Sequence, residues 1–169
     1  VPCALSQGVA LAQAGDEIVL SGGTYFQGEF SLPRSGMPGA PIILRGAENQ
    51  RPVISGADPN EFLWIDHGQG VYRAEVNASD THLVTVDGQR LFPYDSLANL
   101  ETLAFDIPGF YSNGTQVYLH LENGEDPNSH TIQISRYNYA FYVEQDYIFF
   151  LNLQFTHFGR GNYAKALYL

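Results

Sequence analysis

The sequence has one cysteine, Cys3, so no disulfide can close within the chain and the redox compartment is not written in it. A small buried residue or an inert thiol is the reading of that position. Basic residues are also scarce, eight against eighteen acidic ones, which gives a net charge of −10. Seven of the eight are Arg, Lys165 is the single lysine, and they form no cluster. That excludes a nucleic-acid-binding face and disfavours docking on an anionic membrane. Only a local Arg groove would suit a polyanion. No apolar run reaches the roughly 20 residues that cross a bilayer, and no signal-peptide pattern is visible. The five histidines show no His-x-x-x-His spacing, which argues against a zinc site, and no Ser-centred nucleophile elbow is present.

What is there suits one domain with an inserted lobe. The 169 residues are 44% hydrophobic and 14% aromatic, enough for a sizeable core. The 17 Gly and 9 Pro are spread along the chain, as many short strands joined by turns require. Small apolar residues at helical spacing (Leu5, Val9, Ala12) predict a short helix that stops at Gly15-Asp16. Glu17–Leu20 then alternates as a strand with Ile18 and Leu20 on one face, followed by a Gly turn and Thr24-Tyr25-Phe26. Pro41–Leu44 repeats that pattern with Ile42 and Leu44, and Val53-Ile54-Ser55 follows. The offset, on the order of 20–25 residues, is that of one coil of a parallel solenoid, and the helix would cap its open end.

Residues 58–131 break the period. Val71–Val76, His82–Val86, Gln116–Leu121 and Thr131–Ile134 read as longer strands, with Asp87-Gly88 and Asn123-Gly124 as turns. These predict an antiparallel β-sandwich lobe set into the solenoid. After Arg136 the coil resumes with Ala140–Val143 and Tyr147–Phe150, Ile148 and Phe150 inward, and Asn152 at a corner. Asp95–Leu103 is the one other helix candidate. The expected organisation is therefore 1–57 cap and first coils, 58–135 inserted lobe, and 136–169 resumed coil.

Two segments carry a family resemblance. "ALAQAGDEIVLSGGTY" (Ala10–Tyr25) and "SGMPGAPIILRGAENQRPVISG" (Ser35–Gly56) resemble the opening of right-handed parallel β-helix proteins of the pectate-lyase-like superfamily. "GVYRAEV", "VTVDGQRL", "VYLHLENGEDPNSHTIQIS" and "DYIFFLNLQF" are similar to an outer β-sandwich lobe and the first coil after it. Such a lobe occurs in a glycoside hydrolase family that includes β-xylosidases and in uncharacterised secreted relatives. Alginate and chondroitin lyases and uronate epimerases share the opening motif. The resemblance implies an all-β fold of parallel coils and a carbohydrate polymer or oligosaccharide as partner. It also implies secretion or display at the cell surface, and no catalytic residue before Leu169. No cofactor is evident, and calcium is the ion it leaves open for a longer parent. The chain begins at Val1 without Met and its last residues, 164–169, read as the start of a strand. The expectation is a piece of a longer protein, inactive alone and self-associating through its open coil end. Hydrolase, lyase or epimerase, and non-catalytic surface module all stay open. The shortage of basic residues favours the hydrolase over a lyase, which needs a base and a cation beside a uronate carboxylate.

Among the residues present, Phe158–Tyr163 follows a coil strand where substrate loops are built. Arg160 could pair with hydroxyls or a carboxylate, Tyr163 could stack on a pyranose, and Asn162 and Lys165 complete the candidate contact set, Lys165 also as a base. Asp16 and Glu17 point to opposite faces of a strand and cannot converge on one bond. Glu122, Glu125 and Asp126 gather oxygens around a turn without EF-hand spacing, so a solvated turn is the reading and calcium the alternative. Asp66-His67 are neighbours with poor geometry for an orienting hydrogen bond, and His157 stands alone. Asn77-Ala78-Ser79 and Asn113-Gly114-Thr115 fit the N-glycosylation pattern, which carries no meaning in a bacterial chain.

Overall fold

The computed structural model describes residues 3–76, 81–161 and 163–169, and it is mostly β with two short helices. In chain order the elements begin with α1 (Leu5–Leu11), β1 (Glu17–Leu20), β2 (Thr24–Phe26), β3 (Phe30–Ser31), β4 (Ile42–Gly46) and β5 (Val53–Ser55). Next come β6 (Ile65–Gly68), β7 (Val71–Glu75), β8 (Val84–Val86), β9 (Gln89–Arg90), β10 (Phe92–Pro93), α2 (Leu97–Glu101), β11 (Gly109–Ser112), β12 (Gln116–His120) and β13 (Ile132–Ile134). The last are β14 (Phe141–Tyr142), β15 (Ile148–Leu151), β16 (Gln154–Thr156) and β17 (Leu167–Tyr168). Contacts divide the chain into two units. One comprises Val1–Gly56, Tyr137–Phe158 and Ala164–Leu169; the other comprises Ala57–Arg136 and Gly159–Tyr163.

The first unit is wound from three parallel sheets of three strands each, β1-β4-β15, β2-β5-β16 and β3-β14-β17. The chain visits the sheets in turn three times, so each strand's neighbour is one circuit away in sequence. Inward positions meet in one core around Leu20, Ile42, Leu44, Ile54 and Phe141, all buried, with Leu5 and Val9 of α1 packed in. The apolar pairs of the sequence do share this core, with a shifted register. Ile18 lies beside Leu44, and Leu44 beside Phe150, while Ile42 pairs with Ile148 and Leu20 faces Gly46. At the centre the Phe141 ring stands 5.2 Å from Phe30 and 4.9 Å from Phe150. Each such aromatic pair adds about 0.5–1.5 kcal/mol beyond its buried area.

Corners bring backbone very close. A Cβ on Gly46 would stand 2.5 Å from Gln50 O and 2.8 Å from Asn152 O. Asn152 takes a left-handed φ of 52° and donates from Nδ2 to Gln50 O at 2.7 Å. Glycine at the one position and asparagine at the other meet those demands at least cost.

In the second unit a five-stranded sheet, β10-β11-β12-β7-β6, and a three-stranded sheet, β13-β8-β9, enclose a core of Trp64, Ala74, Val84, Phe110, Val117, Leu119 and Ile134. The pairings are antiparallel except one. Phe92 and Pro93 run parallel to Gly109 and Phe110, which corrects the all-antiparallel expectation. The reason is the connection: α2 and its flanking turns lie between β10 and β11, so the chain need not fold back as a hairpin. Helix α2 is N-capped by Ser96 Oγ, which accepts from Asn99 N at 3.3 Å. It buries Leu100 with Val71 and Tyr118 on the other face of the five-stranded sheet. Asp87 and Gly88, at φ 48° and 79°, form the tight β8–β9 turn.

Candidate functional site

The sequence-derived contact residues do not form one set. Arg160 and Tyr163 fall in the second unit, Lys165 falls in the first, and Asn162 lies outside the described residues. Tyr163 is 84% exposed. Gly159 explains the assignment: its carbonyl accepts from His82 N at 2.9 Å, and it lies against Leu83 where a side chain would collide. The other carboxylates and histidines have structural tasks. Asp16 accepts from Gln13 N, and Glu17 pairs with Arg45 at 2.8 Å. Asp66 accepts from Gly68 N rather than orienting His67, whose Nε2 lies 3.7 Å from Glu101. His157 is held below the ordinary histidine range by burial, beside Thr156 Oγ1. Asn113 Oδ1 closes its own turn by accepting from Thr115 N and Gln116 N; the Asn77 sequon lies outside the described residues. Cys3 is exposed, so of the two readings of that position the small buried residue does not hold.

Asp126 caps the short turn at Pro127–Ser129, and Glu125 Oε2 stands 3.5 Å from His130 Nε2. His130 Nδ1 lies 2.7 Å from Asp87 Oδ2. The hydrogen bond to Asp87 raises His130 above its ordinary pKa, and the same bond lowers Asp87. This carboxylate–imidazole–carboxylate array ties the β8–β9 turn to the loop before β13. Among the described residues no group of three or more His, Cys, Asp or Glu could hold a metal ion.

A cluster of aromatic side chains lies on the third sheet of the first unit. Phe141 points inward, so Tyr142 points outward, and register places Tyr142 beside Tyr168 of the next circuit. Tyr139 joins them, giving ring centroids 6.1 Å apart for Tyr142–Tyr168, 5.5 Å for Tyr139–Tyr168 and 6.2 Å for Tyr139–Tyr142. Lys165, whose N–H donates to Asn138 O, carries its ammonium 5.3 Å above the Tyr168 ring. Tyr142 is 41% exposed and donates its hydroxyl to Glu144 Oε1 at 2.9 Å. That hydrogen bond and the adjacent negative charge hold the phenol above its ordinary range.

Beside these rings lies a hollow of about 730 Å³, lined by residues 142–148, Phe150 and residues 167–169, where β15 and β17 are edge strands of their sheets. A second hollow of about 480 Å³ beside α1 holds Tyr25, but its carboxylates, Asp16 and Glu17, are those already engaged above. Of the tyrosine cluster and the cation over it, Lys165 alone is among the contact residues read from the sequence. The signal that was there is the outward tyrosine after an inward apolar residue, Phe141-Tyr142 and Leu167-Tyr168, in consecutive circuits.

No protein-family model matches the chain, and no curated protein matches it. Among solved structures it is similar to XylC in complex with xylose, with a TM-score of 0.75 at 17% identity over 95% of this chain. It is also similar to a glycoside hydrolase, with a TM-score of 0.50 at 11% identity over 85%. The chain spans 33% of the XylC chain and 43% of the glycoside hydrolase chain. At these identities the likeness is one of fold, and it takes in both units of the chain.

Proposed function

We propose that this chain is part of a secreted right-handed parallel β-helix protein that acts on carbohydrate, as a glycoside hydrolase rather than a lyase or epimerase. The observation that carries the reading is the cyclic path of β1 to β5 and β14 to β17 through three parallel sheets, interrupted by a two-sheet lobe. XylC, which has this fold over 95% of the chain, is bound to xylose. The charge balance supports hydrolysis. A hydrolase needs two carboxylates flanking a glycosidic bond, whereas a lyase needs a base and a cation beside a uronate. This chain has eighteen acidic residues and eight basic ones. Polysaccharides are met outside the cell, which is why the proposal includes export. In this reading the described residues provide the first circuits and the lobe, and the bond-breaking carboxylates come from later circuits.

The test is a panel of neutral and uronate polysaccharides incubated with the protein that carries this chain at its natural length. New reducing ends without an unsaturated product, on a neutral polymer, are expected. An unsaturated uronate product, or no cleavage of any polymer, overturns the proposal.

A further inference from the structure

We propose that Asn123 is a site of spontaneous deamidation, converting to aspartate and isoaspartate while the chain stays folded, and that Asn113, which has the same neighbour, is protected. The inference is independent of the carbohydrate reading above. Three observations carry it.

The first is the residue pair. Asn113-Gly114 and Asn123-Gly124 are the two Asn-Gly steps of the sequence, and both lie in the second unit. In such a step the glycine nitrogen attacks the asparagine Cγ, and the new N–C bond closes a five-membered imide. The side-chain amide nitrogen departs with the glycine N–H proton as ammonia. Water then opens the ring at either carbonyl. One opening gives aspartate; the other gives isoaspartate, with the main chain running through Cβ. Glycine permits the attack because no Cβ crowds the nitrogen and its backbone turns freely.

The second is what holds the side chain that is attacked. Asn113 Oδ1 accepts from Thr115 N at 3.1 Å, from Gln116 N at 2.8 Å and from Thr115 Oγ1 at 3.2 Å. Its carboxamide can swing onto Gly114 N only after those bonds break. Asn123 is exposed, and among the described residues no hydrogen bond holds its side chain. The attacking nitrogens do not separate the two sites. Gly114 N donates to Ser112 Oγ at 3.3 Å and Gly124 N to Leu121 O at 3.2 Å.

The third is the backbone around each step. Asn113 lies in the hairpin turn between β11 and β12, and its N–H donates to Gln116 O at 3.1 Å. Rotating its backbone frays that hairpin. Asn123 lies in a single three-residue turn, Glu122–Gly124, outside the sheets, and holds a left-handed φ of 54°. A lone turn opens locally at far less cost than a paired hairpin. The product has consequences nearby. It adds a negative charge between Glu122 and Glu125, and Glu125 Oε2 stands 3.5 Å from His130 Nε2. Isoaspartate also lengthens the main chain beside Gly124, where a Cβ would already meet Gly70 Cα at 3.2 Å.

The experiment ages the 169-residue chain in mildly alkaline buffer, native and in guanidinium chloride. Peptide mapping by mass spectrometry follows the gain of one mass unit at each asparagine, and isoaspartyl methyltransferase labelling identifies isoaspartate. In guanidinium chloride the two steps should react at rates within about threefold of each other, because their immediate chemistry is the same. In the native chain Asn123 should react at least about tenfold faster than Asn113, the factor expected from the extra hydrogen bonds that Asn113 must break. Asn123→Ser should remove the fast-forming species and leave the slow one. A native ratio below about tenfold, no reaction at Asn123 in the native chain, or a fast species that survives in Asn123→Ser each overturn the proposal. So does a tenfold ratio that persists in guanidinium chloride, since the fold would then not be its cause. The wild-type maps decide the matter even if Asn123→Ser fails to fold.

Discussion

The two units solve the problem of burying short strands in opposite ways. In the first, a residue's lateral neighbours are a full circuit away, as Ile18, Leu44 and Phe150 are, and all nine strands run parallel to their partners. In the second, Phe110–Leu119 and Val86–Gln89 meet across hairpins, and strand direction is fixed by the turn between them. A tight turn sets register locally, and a circuit does not. The first unit therefore depends on volume matching between rungs, and the second on turn chemistry. Among the described residues the first unit turns large side chains outward along its strands, Val19, Phe149 and Leu151 on one sheet and Tyr142 on another.

The comparison breaks most readily at Phe141. Its replacement by Ala removes the ring that Phe30 and Phe150 pack on, and should cost about 3–5 kcal/mol in denaturant titration. Trp64 is the single tryptophan and sits in the other core, so its fluorescence reads the second unit. Tyrosine and circular-dichroism signals should move to lower denaturant before the Trp64 signal does. Coincident loss of both would mean that the two cores unfold as one, contrary to the distinction drawn here. Gly46→Ala should come next, at about 1–3 kcal/mol, because the added Cβ meets two carbonyl oxygens that belong to corners rather than to flexible side chains. A melting temperature unchanged by that substitution would show that the corner can relax.

A smaller effect separates the units by pH. His130 has a raised pKa, so the stability it contributes is complete below its ordinary value of 6.5 and is lost as pH rises through the folded value. Asp87 is lowered, so its contribution is present above its ordinary value of 3.8 and is lost as pH falls through the folded value. Asp87, Glu125 and Asp126 are the charges that act on the imidazole. The melting-temperature difference between the wild type and His130→Gln should therefore be largest between about pH 4 and 6.5 and shrink toward alkaline pH. A difference that grows above pH 8 would contradict the ion-pair account. His157, lowered by burial, acts in the opposite direction, favouring the fold above its ordinary value, and cancels in this subtraction. Smallest of all is Glu17→Gln on the outer face of β1. Its pair with Arg45 is exposed on both sides, so the melting temperature should stay within experimental scatter.

Much of this was legible in the residues. The capping helix, the alternating apolar pairs and the turn dipeptides Asp87-Gly88 and Asn123-Gly124 each announce themselves locally. What was not legible depended on pairing over distance. The register between rungs was displaced because no turn fixes Ile18 opposite Leu44. Arg160 and Tyr163 read as a continuation of the coil, whereas the Gly159 carbonyl bonded to His82 draws them to the other unit. The tyrosine cluster requires Tyr142 and Tyr168 to become neighbours, which only the Phe141–Leu167 pairing produces. The His130–Asp87 contact likewise exists only because Ile132 pairs with Val86.

The most direct measurement is a crystal structure of the chain. A unit of three parallel sheets, with Ile18, Leu44 and Phe150 side by side, is the predicted result. First-unit strands paired antiparallel would contradict the account.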